Sequence, residues 1–358
     1  MSRFPFLRPF LRAAGRRLLA SSAIWLAILT LQNGVAFAQG GDLVEAANKE
    51  GQLVAYGDPT QLPILITGFS KKYPQIRVTS ATLGGWQAYY RHLNEKKAGK
   101  TIADIIYTGE DAMLSASGDG ELQAFRPSAL TMMPDWAAPM NVKYVLVHGV
   151  LCALLYNEPA MKGMPLPKDW TDFIAPPKEW QSLIITADAR NSSMAYAIVA
   201  AIYQHYGAER GGSIFKGIRA AKSELSPNAG PQTAKLMSGE RPLSPTFHTG
   251  YLAQMLSQGA PIKMIIPQEG GVAQFTAMGI TKDAPHLNAA RLFMEYSLGP
   301  EGQARLAENG AYSLRKDTAP PKGMPPFFGV KLMPLDLPKA LKDRKEIIAW
   351  WQLAMGIE

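Results

Sequence analysis

The chain has 358 residues, 47% of them hydrophobic and 18% charged, with a formal net charge of +8. This length allows about two domains and the composition is globular, which excludes a disordered or collagen-like chain. A lone cysteine, Cys152, excludes an internal disulfide and a CxxC metal or redox motif.

Residues 1–38 hold Arg3, Arg8, Arg12, Arg16 and Arg17 and no Asp or Glu, and an uncharged apolar run follows from Leu18 to Leu31. A positive start, a short apolar stretch and the small residues of Ala36-Phe37-Ala38 predict a signal peptide cleaved after Ala38. The run is too short to be read as a membrane span. Arg16-Arg17 leaves twin-arginine and general export both open. The remaining 320 residues keep 32 of the 37 basic and all 29 acidic residues, a net charge of +3. The basicity therefore belongs mostly to an export address, and nucleic acid and membrane surfaces drop out as partners.

From Leu43 onward, β-branched runs alternate with amphipathic stretches, the pattern of an α/β protein with mostly parallel strands. A helix over Leu43 to Glu50 precedes a strand over Gln52 to Tyr56. Thr60 is expected to cap a helix carrying Leu62, Leu65, Ile66, Phe69 and Tyr73 on one face, with Pro63 tolerated in its first turn. A strand over Ile76 to Ala81 leads through Gly84-Gly85 to a helix with Trp86, Tyr89, Tyr90 and Leu93 on one side. A third strand, Ala103 to Tyr107, ends in Thr108-Gly109-Glu110-Asp111. The Val- and Leu-rich run Lys143 to Tyr156 exceeds a typical strand and is long enough to cross between two lobes. Leu183 to Thr186 opens a second αβ unit whose helix starts near Ser192, and Ile262 to Pro267 is a candidate return crossing. Helices follow over His286 to Leu298, with Asp283 as cap, over Pro300 to Glu308, and from Lys339 to Met355.

Catalytic motifs are missing: the sequence has no GxSxG elbow, HExxH helix, P-loop or GxGxxG turn. Its histidines, His92, His148, His205, His248 and His286, lack metal-ligand spacing. Instead, several strand-to-helix junctions are rich in small and polar residues: Gly57-Asp58-Pro59-Thr60, Gly84-Gly85-Trp86, Asp188 to Ser193, and Asn228-Ala229-Gly230. Each alone reads as turn and capping chemistry. Together, in an α/β chain of two lobes, they point to a cleft beyond the carboxyl ends of the strands.

The segments LVEAANKEGQLVAYGDPTQLPILITGFSKKYPQIRV, IADIIYTGEDA and PQEGGVAQFTAMGITKDAPHLNAARLFMEYSLGPEGQARLAENGAYSLRKD resemble the periplasmic solute-binding proteins of ABC uptake transporters. The resemblance runs from about Leu43 to Asp317. It is to the branch that holds ferric-ion-binding proteins and relatives for small organic solutes. It implies an α/β, two-lobe type II fold with two hinge-crossing strands, residues 39–150 plus 266–358 forming one lobe and 151–265 the other. It also implies a periplasmic monomer without cofactor that hands a solute to an inner-membrane permease. Ferric-binding members carry adjacent tyrosines where this chain has His248, Thr249, Gly250 and Tyr251, which turns the expectation away from iron. Arg190, Asn191, Ser192 and Ser193 offer a guanidinium, an amide and hydroxyls beside a helix start, a set suited to a carboxylate or phosphonate. The expected site is therefore Asp58, Thr60, Gly85, Trp86, Asp111, Arg190 to Ser193, His248 and Tyr251, with a small anionic organic solute as ligand and no metal or catalytic residue. The alternatives are a ferric-binding importer component and, from another class, a secreted hydrolase or lyase with His248 or Glu110 as base.

Overall fold

The computed structural model describes residues 40–138 and 140–357, so the expected signal segment lies outside the described residues. Helix α1 (Gly40–Glu50) leads into β1 (Gln52–Gly57), α2 (Leu62–Lys72), β2 (Arg77–Thr82), α3 (Trp86–Lys97), β3 (Ile105–Gly109), α4 (Glu110–Gly118) and β4 (Leu122–Gln123). A loop with two short 3-10 turns then reaches β5 (Val145–Asn157), 13 residues long and almost wholly buried. Next come β6 (Ile185–Ala187), α5 (Ser193–Ala220), β7 (Glu224–Ser226), α6 (Ala229–Ser238), β8 (Leu243–His248) and α7 (Thr249–Ser257). The chain returns through β9 (Ile262–Ile265) and β10 (Val272–Thr281) and closes with α8 (Leu287–Leu298), α9 (Pro300–Glu308), β11 (Tyr312–Ser313), α10 (Leu337–Lys342) and α11 (Arg344–Met355).

The main sheet runs in the order β11-β5-β10-β3-β1-β2, with β4 beside β10 and with β8 and β9 beside β5. Among the described residues, the strand ladders are parallel for β1 with β2, β1 with β3, and β6 with β7, with isolated parallel bridges at Ile184–Leu243 and Gly271–Leu332. The expectation of a mostly parallel sheet is corrected here, because the two long strands β5 and β10 run antiparallel to one another and to their other main-sheet partners. Strand β5 has neighbours on both edges at His148 and Gly149, where β10 and β11 flank it, and again at Cys152, between β10 and β8. At Val150 and Leu151 the only ladder neighbour is β10, so the sheet narrows there to two strands. The Leu151 amide on this open edge donates to Thr249 Oγ1 at 3.0 Å.

Two apolar cores flank this waist. Leu53, Phe69, Ile106, Val147, Met278 and Phe293 belong to one, and Trp170, Trp180, Ile198, Phe215, Val272 and Trp351 to the other. Helix α5 is the spine of the second core, and α11 lies along it, with Trp350 Nε1 donating to the Ala208 carbonyl at 2.9 Å and Tyr203 Oη to Glu346 at 2.8 Å. Gly207, at φ +73°, breaks the regular turn of α5 beside that contact. At Gly217 a side chain would meet the Phe173 carbonyl oxygen at 1.8 Å, so only glycine allows this approach.

Several local expectations change. Thr60 is not a cap: helix α2 begins after Gln61, and the Thr60 hydroxyl donates to Asp58 instead. Asp283 does not cap α8 either. The free amides there are met by carboxylates distant in sequence, His286 N by buried Asp104 at 2.6 Å and Ala289 N by Glu50 at 2.8 Å. The last helix divides into α10 and α11 at Asp343. Trp351→Ala should destabilise the protein by about 3–5 kcal/mol, since it empties a buried indole site between α11 and α5. Urea unfolding measures this, and a loss under 1 kcal/mol would show that α11 is only loosely docked.

Candidate functional site

The carboxyl ends of β1 and β3, the start of α5, the middle of β10 and the residues around α10 enclose a cavity of about 280 Å³. It is at the small end of the range for small-molecule sites. Asp58 enters from the end of β1. Its amide donates to the Tyr107 carbonyl at 3.0 Å, and its Oδ1 accepts from Thr60 N at 2.7 Å, Thr60 Oγ1 at 2.6 Å and Gln61 N at 2.7 Å. The turn after β1 therefore fixes one carboxylate oxygen. Glu110 and Asp111 open α4 where β3 ends, a favourable place for carboxylates beside free helix amides. Trp86 Nε1 donates to Asp111 Oδ2 at 2.8 Å, and Thr108 Oγ1 donates to the Gly85 carbonyl at 2.6 Å, holding the glycine turn against β3. From the other side, Gln274 on β10 donates to the Ser193 carbonyl at 2.9 Å and joins the crossing strand to the first turn of α5. Phe275 also lines the cavity, with Trp136 packed on it at a ring separation of 5.2 Å.

Behind Asp58 lies a group of buried polar side chains. Neither ring nitrogen of His148 nor the Tyr107 hydroxyl has a hydrogen-bond partner, and their rings are 5.9 Å apart. Burial drives His148 down to about 4, with Asp58 opposing, and His248 likewise to about 4, so both rings are neutral at pH 7. His248 Nδ1 accepts from Gly250 N at 3.1 Å, which places the ring proton on Nε2. Burial also raises Tyr107 and Tyr251, and in both the Asp58 charge adds to the effect. Glu110 is pushed up to about 7, first by burial and then by the neighbouring Asp111 carboxylate.

Of the residues expected from sequence, Asp58, Gly85, Asp111 and Ser193 line the cavity together. Trp86 acts one step back, through its bond to Asp111. Thr60 braces Asp58, and Ser192 caps α5 by accepting from Ala195 N. His248 and Tyr251 sit at the start of α7 with rings 4.6 Å apart, in the field of Asp58 but outside the cavity lining. The Arg190 guanidinium grips buried Asp188 through Nε at 3.1 Å and Nη2 at 2.8 Å, and Asn191 Nδ2 lies 3.4 Å from the same carboxylate. Neither residue lines the cavity. Sequence reasoning missed Gln274, Phe275 and the floor residues Tyr107 and His148. For His148 a signal existed, since it is the one polar side chain in the otherwise apolar run from Val145 to Leu155. Among the described residues, no three His, Cys, Asp or Glu are grouped so as to hold a metal ion, and no described helix is long and apolar enough to cross a membrane.

Residues 100–327 match the family model described as bacterial extracellular solute-binding protein, and the chain belongs to that family. An uncharacterized protein of Haemophilus influenzae is 22% identical over 86% of this chain and 91% of its own. Iron-bound HitA of Pseudomonas aeruginosa superposes with a TM-score of 0.71 at 19% identity, covering 85% of this chain and 99% of HitA. AfuA of Actinobacillus pleuropneumoniae, a periplasmic binding protein with fructose-6-phosphate bound, gives a TM-score of 0.71 at 22% identity, covering 86% and 99%. At these identities the likeness establishes the fold, the α/β two-lobe type II architecture of periplasmic binding proteins.

Glu110 makes the site's acid chemistry measurable. Between its ordinary value of 4.5 and about 7 the folded chain keeps a proton there that the unfolded chain has released. The associated stability is full below 4.5 and is lost as pH rises through 7; the size of the shift corresponds to about 3 kcal/mol. Glu110→Gln should therefore gain several degrees in Tm relative to the parent between pH 5 and pH 8. Parallel Tm profiles for the two proteins would remove Glu110 from the set of buried acids.

Proposed function

We propose that the protein is the extracytoplasmic solute-binding component of an ABC importer, capturing a small solute in the cavity between its two lobes and presenting it to a membrane permease. Membership of the extracellular solute-binding family supports the class. The observation that carries the site is the convergence of Asp58 and Asp111 from one core with Ser193 and Tyr196 from the helix of the other, across the crossing strand β10. Closure of the lobes on the solute would shift the population toward the form the permease recognises. The periplasm is the compartment this reading requires. Packing also supports assigning residues 333–357 to the second lobe, because Met333, Ala340, Ile347 and Trp351 all belong to that core.

The anionic solute expected from sequence rested on Arg190. With that guanidinium held by Asp188 outside the lining, the geometry favours a polar solute without net negative charge. Arg190→Ala is expected to leave solute affinity within about twofold while lowering stability through the loss of the pair with buried Asp188.

The test of the class is retention without turnover. Protein incubated with a metabolite extract, washed and denatured should release one small solute in one-to-one ratio and chemically unchanged. That solute, at a hundredfold excess over its Kd, should stabilise the fold by about 2.7 kcal/mol. Conversion of the solute into a new compound would favour the hydrolase or lyase reading, with Glu110 or His248 as base, and end the binding-protein reading.

A further inference from the structure

The cavity walls carry three carboxylates, on Asp58, Glu110 and Asp111, and no Lys, Arg or His. The two guanidiniums nearby have partners within the chain: Arg190 pairs with Asp188, and Arg344 lies over the ring of the lining residue Tyr196, 4.1 Å from its centroid. Carboxylates grouped in a confined, partly dry space repel one another, and protonation or a cation relieves this. The buried floor provides a second, independent sign. His148 is 3% exposed and Tyr107 fully buried, yet both His148 nitrogens and the Tyr107 hydroxyl lack partners. His148 lies on the same face of β5 as Val150, and its strand partner is Thr276; both Val150 and Thr276 line the cavity, and the Asp58 charge acts on the His148 ring. The three lining carboxylates are acceptors for a ligand that brings N–H donors and positive charge, and the unpartnered imidazole and phenol near Asp58 can each donate or accept. Beside the polar Ser193, Gln274 and Thr276, the wall includes Val150, Ala197, Ala200 and Phe275, an apolar surface for hydrocarbon.

We infer that the solute is a protonated organic amine, its ammonium group held among Asp58, Glu110 and Asp111 and its apolar body laid against Ala197 and Phe275. This rests on the solute-binding reading above and adds the chemical class of the ligand. Ion pairing with the ammonium would ionise Glu110, so capture would draw that proton off.

Matched probes separate the possibilities. Tm and calorimetric titration would be recorded with 2-phenylethylamine and putrescine, with the isosteric alcohols 2-phenylethanol and 1,4-butanediol, with fructose 6-phosphate and inorganic phosphate, and with ferric chloride. The amines should raise Tm, and the alcohols and anions should not. Glu110→Gln and Asp111→Asn, first shown by Tm to be folded without ligand, should each weaken amine binding by about thirtyfold or more. Affinity for the amine should rise with pH from 6 to 8 in the parent and be flat in Glu110→Gln. Binding of anions, alcohols or ferric ion without the amines would overturn the amine assignment and leave the solute-binding reading intact. Amine binding untouched by both substitutions would also overturn it, by placing the amine elsewhere. Silence from every probe would count against both readings.

Discussion

The antiparallel pairing of β5 with β10 is the constraint from which the rest of the architecture follows. Val272 to Thr276 lie opposite Cys152 to His148, so one ladder fixes the relative positions of residues that serve both cores. The same register sets the cavity. It sets Val150, Gln274 and Thr276 on one face, with the stretch from Ala273 to Thr276 bordering the open space, and brings Gln274 to the first turn of α5. A slip of one residue would turn Gln274 and Thr276 to the opposite face and destroy both contacts. Gly149 and Gly271 allow this close pairing. A side chain at the first would press on Phe275 at 3.2 Å, and one at the second on Leu151 at 2.6 Å.

Charge inside this frame is organised by how each carboxylate is compensated. Asp104 is fully buried and accepts from the amides of Val54 and His286, and Asp188 is met by Arg190, so both are structural. Asp58 and Asp111 each have one oxygen fixed by donors of the fold, and Glu110 has a like charge as its neighbour. Buried acids compensated within the chain hold a fold together, whereas acids left in excess around a space are available to a ligand. By this criterion Asp188 with Arg190 falls on the structural side, and Glu110 joins the acids proposed to meet a ligand.

The sequence was most informative where a local pattern decides the outcome. The helices with one apolar face, the strands β1 to β3 and the long run that became β5 were legible because periodicity and burial agree there. Family segments carried the two-lobe fold. Strand β10 was not legible, since Val272 to Thr281 mixes Gln, Thr and Gly with apolar residues and becomes a strand through its partners β5 and β3. The caps of α8 failed for a related reason: Glu50 and Asp104 are distant in sequence, and no local motif records them. Among the residues of the candidate site, turn chemistry pointed to the strand-end positions Asp58, Gly85 and Asp111, which line the cavity. Arg190, expected as a ligand group, pairs with Asp188 two residues away and is not in the cavity lining, a local pairing the sequence did not announce. Gln274 and Phe275 went unseen along with their strand.

The narrowing of the sheet at Val150 and Leu151 has a mechanical consequence. A ribbon two strands wide tolerates far more change in twist than a sheet flanked on both edges. Any bending between the two cores would therefore be concentrated over these two residues, leaving the ladders on either side unbroken. The open edge at this point is closed by a hydroxyl, Thr249 Oγ1, in place of a third strand. A side-chain acceptor can follow a moving amide through a rotation about one bond, which a strand carbonyl locked in its own ladder cannot do. If the lobes close as proposed, this joint would keep its hydrogen bond during the movement, and the balance between open and closed would be left to whatever lies in the cleft.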